Sequence, residues 1–143
     1  MRFEAEYALI TGASSGIGLE LAHVFAQHNH NVVLTARSEQ KLNQLKNELT
    51  EKYKIQAEVV VCDLSKPNAS DEIFSVIKKN NWNIKYLINN AGLGETKDFL
   101  NNSSEIIHQM LQVNIIALTE LTHMFVRTLP VIVTGKQIGR AHV

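Results

Sequence analysis

Three features of the 143-residue chain predict an α/β fold built on a doubly wound parallel sheet. Short apolar runs alternate with longer amphipathic segments, the connections between them are short, and the first run passes through a glycine-rich turn straight into a helical pattern. Parallel strands need a crossover and a helix serves as one, so this alternation is the signature of right-handed βαβ units.

Residues 7–11 (YALIT), 31–36 (NVVLTA), 57–62 (AEVVVC) and 86–89 (YLIN) read as buried strands. Between them, Ile17, Leu21, Val24 and Phe25 fall on one helical face, then Leu42, Leu45 and Leu49, then Ile73, Val76 and Ile77. A last long helix starts from a cap at Ser103 or Ser104, with Glu105 in its first turn. Its expected buried stripe is Ile107, Leu111, Leu118, Leu121 and Phe125, and Pro130 ends the pattern. No repeat, low-complexity segment or linker divides the chain, so residues 1–137 are expected to form one incomplete domain.

The composition is 45% hydrophobic and 20% charged, with 14 basic and 14 acidic residues. That balance fits a soluble globular protein and gives no charge-based case for a nucleic-acid or anionic-membrane partner. The lone Cys62 excludes an internal disulfide and reads as a small buried hydrophobe at a strand end. The first residues, MRFEAEY, lack the basic and apolar regions of a signal peptide, and no stretch approaches the roughly 20 apolar residues of a membrane span. A cytoplasmic protein is expected. The six histidines are scattered and no Cys or carboxylate completes a ligand set, so no metal site is expected.

The first strand leads into Thr11-Gly12-Ala13-Ser14-Ser15-Gly16-Ile17-Gly18 and then a helix. A helix N-terminus presents unpaired N–H groups and about half a positive charge, so a pyrophosphate can sit there if no side chain blocks it. Glycine gives both the turn and the clearance. The spacing is neither that of a P-loop nor the usual three-glycine dinucleotide fingerprint. Three further segments follow successive strands: Ala36-Arg37, Asp63-Leu64 and Asn89-Asn90-Ala91-Gly92. In an open parallel sheet the ligand crevice lies beyond the carboxyl ends of the strands, so these turns would line one edge.

From about residue 7 to residue 130, the TGxxxGIG turn, the acid after the third strand, the NNAG turn and the asparagine of the long helix resemble the short-chain dehydrogenase/reductase family. The resemblance implies a Rossmann-type doubly wound sheet, truncated after the long helix that follows strand 4, and an oxidoreductase that reduces a carbonyl or oxidises an alcohol. It assigns Gly12, Gly16 and Gly18 to pyrophosphate approach, with Ser14, Ser15 and Ile17 in the same turn. It makes Asp63, beside Leu64, the acceptor of the adenine amino group, and Asn90, Ala91 and Gly92 the wall beside the adenosine ribose. Asn89 is then structural, tying neighbouring strands together. A homo-oligomer of the full-length parent, built partly on the long helix, is also implied.

Arg37 selects the cofactor. Where NAD enzymes carry an acid at the end of the second strand, this chain has Ala36 followed by a guanidinium. A 2′-phosphate would meet a fork of donors, worth roughly 1.5–3 kcal/mol and about a ten- to hundredfold preference for NADPH over NADH. Ser14 or Ser15 could add a neutral donor, and a solvated surface arginine is the alternative.

Asn114 interrupts the apolar stripe of the long helix, and a buried amide without partners costs about 1–3 kcal/mol, so something should satisfy it. In the family the matching asparagine is catalytic and holds a water in the proton relay. The family's chemistry also needs a strand-end serine and a Tyr-x-x-x-Lys on the next helix. Thr11, Ala57 and Asn90 stand four residues after the three tyrosines, and no serine follows Ser104. The chain is therefore expected to be the cofactor-binding portion alone and catalytically inactive. A non-catalytic nucleotide-binding or regulatory protein is the alternative, and a flavodoxin-like domain is disfavoured because NNAG and Asn114 would be coincidences. Residues 138–143 (IGRAHV) can be encoded by one frame of a common sequencing adaptor, so they are expected to be a non-native tail.

Overall fold

A computed structural model describes residues 5–128. Pro130 and the tail at 138–143 lie outside these residues. The strands are β1 (Glu6–Thr11), β2 (Asn31–Ala36), β3 (Ala57–Val61) and β4 (Asn83–Ile88). They form one sheet in the order β3-β2-β1-β4, every pair parallel. The helices α1 (Gly16–Gln27), α2 (Glu39–Tyr53) and α3 (Ala69–Lys79) are the crossovers. After β4 come a short 3₁₀ turn (Phe99–Asn101), α4 (Ser104–Leu111), a π-helical stretch (Gln112–Ala117) and α5 (Leu118–Val126). This is the doubly wound α/β arrangement that the alternation predicts.

Side chains of a strand alternate between faces, so each strand feeds two cores. Ala8, Ile10, Val32 and Leu34 pack against α1 and α2 on one face. Leu9, Val33 and Val60 pack against α3 and α5 on the other. Leu9, Ile10, Leu34, Leu42, Leu49, Ile73 and Leu121 are fully buried, each stabilising the fold by about 1.5–3 kcal/mol relative to exposure.

α2 buries Leu42, Leu45 and Leu49 as its period predicts, and starts from a Ser38 cap whose Oγ accepts from Lys41 N at 3.4 Å. Ser103, not Ser104, caps α4, accepting from Ile106 N at 3.3 Å.

Two helices turn differently from their apolar patterns. α1 buries Gly18, Ala22 and Ala26, while Ile17 and Val24 are exposed. The small residues bring this helix close to the sheet, and that close approach overrides the larger side chains' claim on the core. The long helix buries Val113, Ala117, Leu121 and Phe125, whereas Leu111 and Leu118 are exposed. The π-helical stretch adds a residue to its turn and shifts the stripe's phase, which a constant 3.6-residue period misses. Asn114 consequently stands exposed rather than in the buried stripe.

β4 begins already at Asn83 and ends at Ile88, which puts Asn89 in the following turn.

Candidate functional site

Strand order reverses between β1 and β4, and the turns after these strands meet there. A crevice at such a switch point, outside the carboxyl ends of the strands, is where open α/β sheets bind ligands. A cleft of about 520 Å³ lies at these ends.

The glycine turn is fixed by what it touches. Gly12 has φ +66°, and a Cβ there would stand 2.9 Å from Ala91 Cα and 3.0 Å from Asn90 Nδ2. A Cβ on Gly18 would overlap Gly12 O and Asn90 Nδ2. Both glycines therefore let β1's turn, the NNAG turn and α1 close on one another. Ser15 precedes α1 without a side-chain capping bond, which leaves the first helical N–H groups facing the turn.

Thr11 stitches the two turns together. Its Oγ1 donates to Ile88 O at 3.3 Å and accepts from Asn90 N at 3.0 Å and Ala91 N at 2.9 Å. One donor and two acceptor sites are thus all used. Asn90 Nδ2 returns the tie, donating to Thr11 O at 3.0 Å and Gly12 O at 3.3 Å. The sequence reading missed Thr11; the available signal was a hydroxyl at the end of an otherwise apolar strand. It also gave the strand-tying role to Asn89, which instead reaches α5, donating to Thr122 Oγ1 at 2.9 Å. Asn90 does the tying.

Past β3, Asp63 Oδ1 accepts from Ser65 N at 3.0 Å and Ser65 Oγ at 2.8 Å. Burial pushes its carboxyl up. The Ser65 hydrogen bonds and the charges of Arg37 and Lys66 outweigh that, and the group sits below the usual aspartate value. Cys62 beside it is buried, with Sγ 3.6 Å from Ala69 O. Burial first, then Glu72 and Asp63, raises its thiol to about 11, so it is an inert packing group.

The cleft brings together Gly12, Ser14, Ser15, Ile17, Arg37, Asp63, Leu64, Asn90, Ala91 and Gly92. Gly16, Gly18 and Asn114 do not border it. Asn114 acts on its rim through Leu93: its Nδ2 donates to Leu93 O and its Oδ1 accepts from Leu93 N, each at 2.8 Å. Ser38, Lys41 and Ser65 also line the cleft and were not singled out from sequence, because their spacing follows ordinary helix capping and surface patterns. Among the described residues no group of His, Cys, Asp or Glu could hold a metal, and no helix is long and apolar enough to cross a membrane.

Residues 6–140 match the family model described as short chain dehydrogenase. The match extends past Pro130 and reaches into the segment 138–143. The human very-long-chain 3-oxoacyl-CoA reductase is 32% identical over 125 residues, covering 83% of this chain and 39% of that protein. A short-chain dehydrogenase from Sphingobium yanoikuyae in complex with NADPH superposes with a TM-score of 0.80 at 32% identity, covering 86% of this chain and 48% of that one. L-sorbose reductase from Gluconobacter frateurii, complexed with NADPH and L-sorbose, gives a TM-score of 0.80 at 28% identity, with 87% and 47% covered. The chain thus spans half or less of the length of these relatives. With its parallel sheet, TGxxxGIG turn and NNAG turn in register at one cleft, the chain belongs to the short-chain dehydrogenase family.

Proposed function

We propose that the chain is the NADP(H)-binding portion of an oxidoreductase that reduces a carbonyl or oxidises an alcohol, with turnover residing in a longer chain that carries the strand-end serine and Tyr-x-x-x-Lys. The residues fit a dinucleotide: Gly12 and Gly18 let the glycine turn close against the NNAG turn, and no Ser15 side chain caps the first N–H groups of α1, which leaves them for a pyrophosphate. Among the described residues Asp63 has only Oδ1 engaged and keeps Oδ2 for the adenine amino group. Asn90, Ala91 and Gly92 form the wall beside the adenosine ribose. Bound there, a nicotinamide nucleotide supplies hydride transfer; the protein binds and orients it. Asn114 holds the loop beside that wall and offers its remaining polar valences to a water of the proton relay.

The observation that carries the cofactor choice is Arg37 on the cleft wall directly after β2, where an acid would repel a 2′-phosphate. Relatives of the same fold bind NADPH, which supports this reading. Exposed Ile115, Ile116 and Leu118 on the long helix support a homo-oligomer of the full-length protein. Titration with NADPH and NADH tests the choice. NADPH should bind about ten- to hundredfold more tightly, and Arg37→Asp should reverse the order. Equal affinities in the unsubstituted protein would remove Arg37 from the role.

A further inference from the structure

We infer that Lys41 is a second cation of the 2′-phosphate subsite and that, together with Arg37 and the Ser38 hydroxyl, it sets the preference for NADP(H); the inference rests on the cofactor reading above. The three residues follow β2 in sequence and line the same cleft. Ser38 Oγ accepts from Lys41 N at 3.4 Å, and this cap spends a lone pair, not the hydroxyl hydrogen. That hydrogen is left to donate to a phosphate oxygen. The same cap fixes the first turn of α2 and so fixes where the Lys41 stem leaves the helix.

Asp63 lines the same cleft and its charge is felt by Arg37, but no ion pair holds either cation of this wall. Among the described residues the lysine ion pairs are Lys46 with Glu58 and Lys85 with Glu6, and neither Arg37 nor Lys41 takes part in one. The single acid in the first turn of α2, Glu39, is exposed and does not border the cleft. A phosphate monoester carries close to two negative charges at neutral pH, whereas a ribose diol carries none. A guanidinium can grip such a phosphate through two parallel N–H bonds, and an ammonium adds a point charge with freely turning donors. Two cations held in no ion pair and a free hydroxyl hydrogen therefore match the phosphate far better than the diol.

The test compares the unsubstituted protein with Lys41→Gln and Lys41→Arg in titrations with NADPH, NADH, 2′-AMP and 5′-AMP. Lys41→Gln should weaken NADPH and 2′-AMP about three- to tenfold while NADH and 5′-AMP keep their affinities, the range reflecting an exposed charge. Lys41→Arg should restore most of the loss. If the unsubstituted protein prefers NADPH but Lys41→Gln leaves the NADPH-to-NADH ratio unchanged, or weakens both cofactors alike, the inference is overturned and the Arg37 assignment stands. If the unsubstituted protein shows no preference, the cofactor reading itself fails.

Discussion

The side-chain amide of Asn114 grips the backbone of Leu93 at both ends, N–H to Leu93 O and Leu93 N–H to Oδ1, each at 2.8 Å. Two hydrogen bonds thereby tie the π-helical stretch of the long helix to the loop that follows the NNAG turn. One Nδ2 hydrogen and one Oδ1 lone pair remain for a water. The π-turn and the exposed position of Asn114 thus serve the loop, not the core.

Replacing Asn114 with leucine should release that loop. We expect a loss of about 1–2 kcal/mol in denaturant unfolding and faster amide exchange at Leu93. Asn114→Asp should fall between the two, since its carboxylate can still accept from Leu93 N but repels Leu93 O. Unchanged exchange at Leu93 in the leucine variant would show that the bonds do not hold the loop.

Thr11 and Thr35 sit in register on neighbouring strands, both buried, yet only Thr11 uses its hydroxyl. Thr35 Oγ1 has no hydrogen-bond partner among the described residues. Thr11→Val should cost about 2–4 kcal/mol because it orphans the amides of Asn90 and Ala91. Thr35→Val should be neutral or stabilising. Equal penalties from thermal unfolding of the two variants would contradict this asymmetry.

Gly18→Ala should break the contact between α1 and the NNAG turn, costing about 1–3 kcal/mol and abolishing dinucleotide binding at accessible concentrations. Gly16 has open space around it, so Gly16→Ala should suffer only the strain of its φ of +56°. A comparison of NADPH affinity and unfolding midpoint in the two variants distinguishes steric closure from backbone strain.

Two of the shifted groups line the cleft and shape its pH response. Asp63 is lowered from its ordinary 3.8, so the folded state binds fewer protons than the unfolded one just below that value. Its stabilising contribution is present above pH 4 or so and fades as pH falls through the folded pKa. Asp63→Asn should flatten that part of the acid unfolding profile. Cys62 moves the other way, from 9.0 to about 11, so the unfolded thiol ionises first and stability declines as pH rises through that window. Iodoacetamide should label Cys62 only as the protein unfolds; rapid labelling of the native state at pH 8 would count against its burial.

The sequence made the sheet legible because strand and crossover patterns are local, and α2 and α3 turned as their leucine and isoleucine spacing predicts. It placed the four strand-end turns at one edge for the same reason. The facing of α1 was not legible: a preference for small residues against the sheet depends on Gly18 meeting Gly12 and Asn90, a contact between distant segments. The phase of the long helix was lost at its π-turn, which periodicity cannot register. The hydrogen bonds of Thr11 and Asn90 escaped notice because their partners lie at sequence separations of 77–80 residues.

If the turns after all four strands build one nucleotide cleft, as proposed, hydrogen–deuterium exchange with and without saturating NADPH tests it most directly. Concurrent protection of four segments is expected: residues 12–18, residues 35–41, residues 63–65 and residues 90–93. Protection confined to other segments, or none of these four responding at saturation, would contradict it.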